Sequence, residues 1–362
     1  MTDKSTILVP GSTIGILGGG QLGRMLALAA AKLGLKSHIY CPDPHSPAFD
    51  VTPLKTVAAY DDVEALKAFA AQVDVVTYEF ENVPASTAEV LAGLKPLHPG
   101  ANALAISQDR LAEKSFLTSK NIPVAPHRAV HDRDELHQAV AELGLPAVLK
   151  TTRLGYDGKG QRVLREPGDA DAAFAELAPH PLVLEGFVPF EKEISVVVAR
   201  GADGTVRAFD AAENIHRHHI LYTSTVPADI PPGVAKHAAM LAKVIVVALD
   251  YVGVLGVEFF VVPGEDRTSL LVNEIAPRVH NSGHWTEAVC LTDQFEQHIR
   301  AIAGWPLGDP QRMADVVMQN LVGDEVEMVP NGLDGDTQPH LYGKAEARPG
   351  RKMGHINRIV RG

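Results

Sequence analysis

The segment Leu270–Thr286 carries the densest set of reactive side chains in the sequence. An apolar run reaches Glu274, and an arginine, two histidines, an asparagine and a serine follow before Thr286. So many charged and hydrogen-bonding groups at the end of a buried strand are costly unless they face a ligand. The segment therefore predicts a binding or catalytic site.

Two glutamates, Glu258 and Glu274, are predicted to face each other across a hairpin. Val252–Val262 is rich in β-branched and aromatic residues, residues 263–269 have turn composition, and Leu270–Ile275 is apolar. Facing carboxylates repel each other, and a divalent cation reverses the sign of that interaction. Hard oxygen ligands beside a nucleotide suggest Mg²⁺ rather than Zn²⁺. A register shifted by one residue, with one glutamate in solvent, stays open.

The glycine-rich segment Gly18–Gly23 is a second candidate site. It lies between a predicted strand, Thr13–Leu17, and a predicted helix, Gln21–Leu33. Amides at a helix N-terminus favour an anion, and glycines let it approach closely. Asp43 follows where a dinucleotide-binding fold places its ribose-binding acid. A nicotinamide-dependent oxidoreductase is therefore one hypothesis, and a turn that serves only strand–helix packing is another.

A third candidate is the loop that follows Lys150 and joins two predicted strands. It contains three glycines and a lysine within residues 155–161. It does not match a Walker A loop, because no serine or threonine follows Lys159 and no helix follows the loop. A glycine-rich loop between strands can instead close over a triphosphate. The alternative is a plain surface hairpin.

Three weaker patterns complete the set. The apolar segment Leu182–Val188 could offer backbone groups to adenine, although an ordinary core strand has the same composition. The pair His280 and His284 has zinc-ligand spacing, but loop residues separate the two and no glutamate follows the first, so substrate contacts or surface positions are preferred. Arg348–Lys352 is a basic turn that could hold a phosphate or lie in solvent.

Composition narrows the class of protein. The chain has 362 residues, of which 46% are hydrophobic and 21% charged, as in soluble globular proteins of two or three domains. A net charge of −11 argues against nucleic-acid binding. The longest apolar region, Met240–Val262, is interrupted by charged residues, so no membrane span is expected. Two cysteines and no signal peptide predict a cytoplasmic enzyme.

Alternating strand and helix signals predict an N-terminal doubly wound parallel sheet. Hairpin-like pairs then predict a mixed α+β region. One pair is Ala147–Lys150 with Arg162–Leu164, and another is Leu182–Phe187 with Ile194–Arg200. The overall fold class is therefore α/β combined with α+β.

Together these segments resemble the ATP-grasp superfamily and, within it, the N5-carboxyaminoimidazole ribonucleotide synthetase family. The similarity runs nearly end to end. It rests on Gly18–Met25, Val75–Asn82, Gly155–Gln161, Asn273–Thr286 and Arg348–His355. The wider superfamily usually has a third metal ligand, asparagine or aspartate, at the position of Ala276. The resemblance therefore implies two carboxylate ligands for the metal.

The resemblance implies an N-terminal substrate-binding domain at 1–105 and an ATP-grasp domain at 106–305 with a mobile lid near 124–187. A small C-terminal domain at 306–362 and a homodimer are also implied. Bicarbonate, activated by ATP as carboxyphosphate, would carboxylate aminoimidazole ribonucleotide with Mg²⁺ as cofactor. The alternatives are an ATP-grasp ligase for another acid and the oxidoreductase named above.

The resemblance also assigns residues to each ligand. The residues that would hold ATP are Arg110, Lys150, Gly155, Tyr156, Asp157, Gly158, Lys159, Gly160, Gln161, Glu185, Gly186, Phe187, Val188, Glu193, His216, Asn273 and Glu274. Glu258 and Glu274 would bind Mg²⁺. The ribonucleotide would contact Gln21, Glu79, Tyr156, Arg351 and Lys352. Arg278 and His280 would flank the bicarbonate-derived group. The expected catalytic residues are Arg278, His280, Tyr156 and Lys352.

Overall fold

The computed structural model describes residues 7–153, 159–264 and 268–361. The first part of the chain forms a parallel sheet with strand order β3-β2-β1-β4, as its alternating pattern predicts. Helix α1 buries Leu22, Met25, Leu26 and Ala29 on one face, at helical spacing. The elements are β1 (Thr13–Leu17), α1 (Gln21–Lys32), β2 (Lys36–Tyr40), β3 (Leu54–Thr56), α2 (Val63–Ala70), β4 (Val75–Tyr78), α3 (Ala85–Ala92), α4 (Ala101–Ser107) and α5 (Arg110–Ser119).

A second sheet follows, with strand order β5-β8-β6-β7 and antiparallel pairs throughout. Two helices cover it and bury their apolar faces in one cluster with its strands. This unit corresponds to the region predicted as a lid. Its elements are β5 (His127–Val130), α6 (Arg133–Leu143), β6 (Ala147–Thr151), β7 (Gln161–Leu164), α7 (Asp169–Leu177) and β8 (Leu182–Gly186).

Within the described ranges, the remaining nine strands form one sheet in the order β14-β13-β9-β11-β12-β15-β17-β16, with β10 paired to β9. Helices α8 and α10 pack on β9 and β13. The elements are β9 (Lys192–Arg200), β10 (Val206–Ala208), β11 (Ala212–Arg217), β12 (Ile220–Val226), α8 (Pro232–Ala248), β13 (Gly253–Val262), β14 (Ser269–Ala276), α9 (Thr286–Val289), α10 (Gln294–Ile302), β15 (Asp315–Val322), α11 (Val329–Gly332), β16 (Thr337–Leu341) and β17 (Lys352–Val360).

One predicted strand pair is confirmed and another is wrong. Strands β6 and β7 pair as expected. Leu182–Phe187 does not pair with Ile194–Arg200, because β8 lies inside the second sheet while β9 lies inside the nine-stranded one. Both strands are buried, and each therefore needs a partner on either side. Their closeness in sequence reflects a connection between two sheets.

The hairpin of β13 and β14 places Glu258 directly opposite Glu274, as predicted. The register from Val262–Ser269 to Phe259–Val272 would by itself put Glu258 opposite Asn273. A bulge at that point inserts one extra residue and shifts the pairing to Glu274. The facing pair therefore depends on the bulge.

None of the helices in the described ranges combines the length and hydropathy that a membrane crossing requires.

Candidate active site

A cavity of about 680 Å³ lies where the three units of the molecule meet. Its lining includes residues from the N-terminal sheet, the second sheet and the large sheet. The predicted site residues that line it are Gln21, Glu79, Arg110, Lys150, Lys159, Gln161, Glu185, Gly186, Phe187, Val188, Glu193, His216, Glu258, Asn273, Glu274, Arg278, His280 and Lys352. Gly160 and Arg351 are not part of the lining. Gly155, Tyr156, Asp157 and Gly158 lie outside the described residues.

On the lid side of the cavity, two lysines pair with one buried glutamate. Lys150 Nζ donates to Glu185 Oε2 at 2.8 Å, and Lys114 Nζ lies 3.3 Å from Glu185 Oε1. Burial alone would raise the pKa of Glu185, but the two lysines outweigh it and hold that pKa at about 2. Burial lowers the pKa of Lys150, and Glu185 opposes the shift. Two lysine side chains therefore share one carboxylate at this wall.

Two backbone amides in the segment predicted to bind adenine already have partners within the protein. The Gly186 amide donates to the carbonyl of Pro126, and the Phe187 amide donates to that of Pro146. Those two amides are therefore already used within the protein. Glu193 Oε2 lies 2.9 Å from His216 Nδ1 in the same cavity. That carboxylate outweighs burial and raises the pKa of His216.

On the opposite wall, the facing pair Glu258 and Glu274 concentrates negative charge. Burial, followed by the Glu274 carboxylate, raises the pKa of Glu258 to about 7. Arg110 Nη1 lies 3.6 Å from Glu274 Oε2. Two oxygen-donor side chains whose repulsion a cation would relieve are a donor set that fits Mg²⁺.

The bulge beside Glu274 is stabilised by a residue that the sequence did not reveal. Glu113 Oε2 accepts a hydrogen bond of 3.1 Å from the Ile275 amide, next to Glu274. Glu113 is 4% exposed, and burial raises its pKa to about 8. A buried carboxyl on α5 therefore helps to fix the direction of the strand at the facing glutamates.

The glycine loop before α1 binds an anion, but the anion is a side chain of the protein. Glu79 Oε1 and Oε2 accept hydrogen bonds from the amides of Gly20 and Gly23, at 2.5 Å and 2.7 Å. A Cβ at Gly18 would lie 2.3 Å from Glu79 Cγ, so the loop must be glycine there. The amides of Gly20 and Gly23 are thus engaged by Glu79, which argues against the alternative hypothesis of a dinucleotide phosphate on them.

The second part of the dinucleotide prediction is also not supported. Asp43 Oδ1 accepts a hydrogen bond from the amide of His45 within a local turn. Asp43 is not part of the cavity lining. The first glycine loop therefore positions Glu79 in the cavity and does not form a nicotinamide site.

Arg278 is fixed by a carboxylate from the N-terminal unit. It forms an ion pair with Glu81 through Nε and Nη2, and the Nη2–Oε1 distance is 3.2 Å. Burial alone would raise the pKa of Glu81, but the guanidinium outweighs it and holds the pKa at about 2. The ion pair joins β4 to the segment after β14 and places a cation at the cavity wall.

A basic group lies near Glu79. Lys344 Nζ donates to the carbonyl of Lys352 at 2.6 Å. Burial, and then the charge of Arg351, lowers the pKa of Lys344 to about 8. Arg351 is therefore near this group although it does not line the cavity, and its Nη1 donates to the carbonyl of Glu346 at 3.0 Å. Lys344 is a residue that the sequence analysis did not assign.

The two histidines with zinc-ligand spacing do not form a metal site. His280 Nε2 lies 3.3 Å from Glu258 Oε1. The ring of His284 stacks on His355, and its Nδ1 is bound by the Gln294 amide. Burial, followed by Arg278, lowers the pKa of His280 to about 3, so this imidazole is neutral.

A separate cluster joins Glu287, His340 and His355, whose ligand atoms lie within 4.8 Å of one another. The two imidazole rings are stacked, with planes only 6° apart. A metal ion binds an imidazole nitrogen in the plane of its ring. Two stacked parallel rings have no shared in-plane position, so this arrangement is a packed polar group rather than a formed metal site.

Comparison with known proteins extends over the whole molecule. The ribonucleotide synthetase preATP-grasp domain model matches residues 11–108, the ATP-grasp domain model matches 115–295, and the phosphoribosylaminoimidazole carboxylase C-terminal domain model matches 316–361. The N5-carboxyaminoimidazole ribonucleotide synthase of Brucella melitensis is 55% identical over 357 residues, which cover 98% of each chain. The chain belongs to the N5-carboxyaminoimidazole ribonucleotide synthase family.

Solved structures of this synthase family have the same fold. A crystal structure of an ADP complex of N5-carboxyaminoimidazole ribonucleotide synthetase has a TM-score of 0.94 at 45% identity, and covers 99% of this chain and 94% of that one. The synthase of Aspergillus clavatus, in complex with ADP and 5-aminoimidazole ribonucleotide, has a TM-score of 0.90 at 31% identity, with coverages of 97% and 94%. The chain is therefore an ATP-grasp ligase of the synthase family.

Several residues of the synthase site were missed because their partners are distant in sequence. Lys114 and Glu113 lie on a charged helix, and nothing in its pattern marks them as buried. Glu81 lies two residues after Glu79, so both follow the same strand, and this spacing could have indicated that Glu81 belongs to the site. Asn281 lies within the assigned segment and lines the cavity, but it received no role.

Proposed function

We propose that this chain carboxylates the exocyclic amine of 5-aminoimidazole ribonucleotide, using ATP and bicarbonate. The products are N5-carboxyaminoimidazole ribonucleotide, ADP and phosphate, and the step belongs to purine biosynthesis. The observation that carries the proposal is a single cavity in which lysines, facing glutamates and the Arg278–His280 segment come together. Membership of the synthase family supports the same substrate.

The nucleotide would lie between the second sheet and the large sheet. Lys150, Arg110 and the described part of the glycine loop, Lys159–Gln161, would neutralise its phosphates. Glu193 with its partner His216 would contact the ribose. Phosphoryl transfer needs positioning and charge neutralisation more than covalent help from the protein. The cation-rich lid wall around Glu185 fits that requirement.

Mg²⁺ would be held by Glu258 and Glu274. The raised pKa of Glu258 and the close pairing of the two carboxylates support this assignment. When bound, the ion would neutralise phosphate charge during transfer. The protein contributes the hairpin, the bulge at Asn273 and the hydrogen bond that the Ile275 amide donates to Glu113, which orients the strand.

The ribonucleotide would lie against Gln21, Glu79 and Lys352, with Arg351 beside its phosphate. Arg278 and His280 would flank the bicarbonate-derived group, where the guanidinium stabilises negative charge on oxygen. The amine of the ribonucleotide then attacks the carbonyl carbon of carboxyphosphate, or CO₂ released from it. A C–N bond forms, the C–O bond to phosphate breaks, and the released phosphate takes the proton that the amine loses. Closing the lid would protect the mixed anhydride from water.

The reaction is tested by measuring ADP release with Mg-ATP while bicarbonate and the ribonucleotide are omitted in turn. We expect a high rate only when both are present, together with formation of the carbamate as measured from labelled bicarbonate. ADP release that ignores the ribonucleotide but responds to another acid or amine would contradict the substrate assignment.

Three further statements stay predictions. The domain limits at 105 and 305, a homodimer and a cytoplasmic location follow from the resemblance and composition. Strands β15–β17 continue the large sheet, so we expect the C-terminal segment to unfold together with the ATP-grasp domain. Sedimentation analysis of the purified chain measures its oligomeric state.

A further inference from the structure

The ring of His280 lies at the end of a chain of two hydroxyl groups. Ser195 Oγ donates to Ser282 Oγ at 2.6 Å, and Ser282 Oγ lies 2.7 Å from His280 Nδ1. Both serines are buried, with exposures of 2% and 0%. At the other edge of the ring, Nε2 lies 3.3 Å from Glu258 Oε1. The imidazole therefore connects a hydroxyl chain to a carboxylate of the cavity.

The position of this ring is held from two sides. Gln294 Oε1 accepts a hydrogen bond from the His280 amide, and Gln294 Nε2 donates to the His280 carbonyl, both at 2.8 Å. Gly256 lies beneath the ring, where an added Cβ would be 2.7 Å from His280 Cγ. With the ring fixed, the partners of its two nitrogens decide where its proton lies.

We propose that Ser195 and Ser282 are positioning residues that hold His280 as the Nε2–H tautomer. Because Ser282 Oγ accepts a hydrogen bond from Ser195, its own hydroxyl hydrogen is available to His280 Nδ1, which then acts as the acceptor. A neutral imidazole with an unprotonated Nδ1 carries its hydrogen on Nε2. Glu258 Oε1 lies 3.3 Å from Nε2, where it can accept that hydrogen.

The consequence for the reaction rests on the proposed function. An Nε2–H imidazole donates into the cavity and cannot take a proton at that nitrogen. His280 therefore stabilises an anionic oxygen of the bicarbonate-derived group beside Arg278. It does not act as a general base on the ribonucleotide amine.

The tautomer is measured by long-range ¹H–¹⁵N NMR on protein with ¹⁵N-labelled histidine rings, near neutral pH and without substrates. The His280 signals are identified by their absence from His280→Gln. We expect an unprotonated Nδ1 and a protonated Nε2. Ser282→Ala should yield a mixture of tautomers, and Ser195→Ala a smaller change, since Ser282 keeps its hydroxyl. Ser224→Ala is the control. Ser224 is buried and donates a hydrogen bond of 2.8 Å to Asn214 Oδ1, and neither residue lines the cavity.

Kinetics provide the second readout. Ser282→Ala should raise the apparent KM for bicarbonate by about tenfold and leave that for ATP unchanged. Ser224→Ala should change neither. A protonated Nδ1 in the wild type, or a wild-type tautomer in both serine variants, overturns the proposal. Because the NMR experiment uses no substrate, its outcome is separate from the test of ribonucleotide carboxylation.

Discussion

Two walls of the nucleotide cavity treat buried carboxylates in opposite ways. On the lid wall, Glu185 has a lysine on each oxygen, and its pKa is held at about 2. On the large-sheet wall, Glu258 faces a second carboxylate, and its pKa is raised to about 7. Both side chains are mostly buried, so burial alone does not explain the difference. The charge of the neighbour decides it.

The two walls therefore differ in whether the protein itself places positive groups beside its buried carboxylates. The lid wall keeps its positive charge and can attract phosphate groups. On the sheet wall Glu258 faces Glu274, and a divalent cation would relieve the repulsion between them. A substrate that carries both phosphates and a divalent ion matches both walls at once. The predictions below alter one wall at a time.

The largest expected effect comes from Lys150→Ala on the lid wall. It removes a phosphate-facing cation, so turnover should fall by roughly 10²–10³-fold, as measured by steady-state ADP release. The free energy of unfolding should also fall, because Glu185 keeps only Lys114.

Lys67→Ala is the matched control for this change. Lys67 has the same Nζ–Oε distance of 2.8 Å to Glu64, but its side chain is 52% exposed. Exposed pairs contribute little to stability. We expect wild-type turnover in this variant. Equal losses in the two variants would contradict a specific role for Lys150.

The sequence predicted the facing glutamates of the sheet wall but not the ion pairs of the lid wall. Glu258 and Glu274 could be paired from turn composition, because strand alternation fixes which residues share a face. The prediction was confirmed, but it assumed equal numbers of residues on the two strands and so did not include the bulge at Asn273. The turn is centred half a residue before the predicted centre, and the extra residue in the bulge shifts the register so that Glu258 still faces Glu274. Strand composition does not reveal such an insertion.

The lid wall could not be predicted in the same way. Lys114 lies on α5 and Glu185 on β8, so their contact depends on how a helix packs against a distant sheet. The pairing of Leu182–Phe187 with Ile194–Arg200 was predicted wrongly for the same reason, because it also depends on tertiary packing. Local patterns identified the strands, while the choice of partner was made by tertiary packing. The resemblance to a family supplied the ligands, which periodicity alone does not identify.

The second prediction concerns the pH dependence of the sheet wall. The pKa of Glu258 is about 7 in the folded chain and near the ordinary 4.5 when unfolded. The folded state therefore binds this proton more tightly, and the unfavourable contribution is complete above pH 7 and absent below about 4.5. Without Mg²⁺, the free energy of unfolding should rise by up to ~3 kcal/mol from this group as pH falls through that window.

Urea unfolding at about pH 5 and about pH 8 measures this change. Glu258→Gln should reduce the dependence and leave the part due to Glu113, whose raised pKa acts in the same direction, and saturating Mg²⁺ should weaken it in the wild type. A variant with the full wild-type pH dependence would show that other groups cause it. Glu142→Gln, on the exposed surface of the lid, serves as the control.

The third prediction asks whether Glu274 binds the ion. Glu274→Gln removes one charged oxygen ligand and should raise the Mg²⁺ concentration for half-maximal rate by about tenfold. The same change relieves repulsion on Glu258, so the metal-free variant should be no less stable than the wild type. An unshifted Mg²⁺ requirement would contradict the metal assignment.

The smallest effect is expected from Arg351, on the side of the cavity where Glu79 lies. Burial raises the pKa of Glu79 and outweighs the amides of Gly20 and Gly23 and the nearby Lys344, which favour its charged form; Lys344 in turn lies beside Arg351. Arg351→Ala should raise the apparent KM for the ribonucleotide by roughly fivefold and leave that for ATP unchanged, because only one charged contact to a phosphate is lost. Arg348→Ala tests the same turn with an exposed arginine that pairs with Glu346. If both variants raise the KM for ATP as well, the turn stabilises the fold of the site, and the ribonucleotide phosphate must be bound by Lys344 and Lys352 without Arg351.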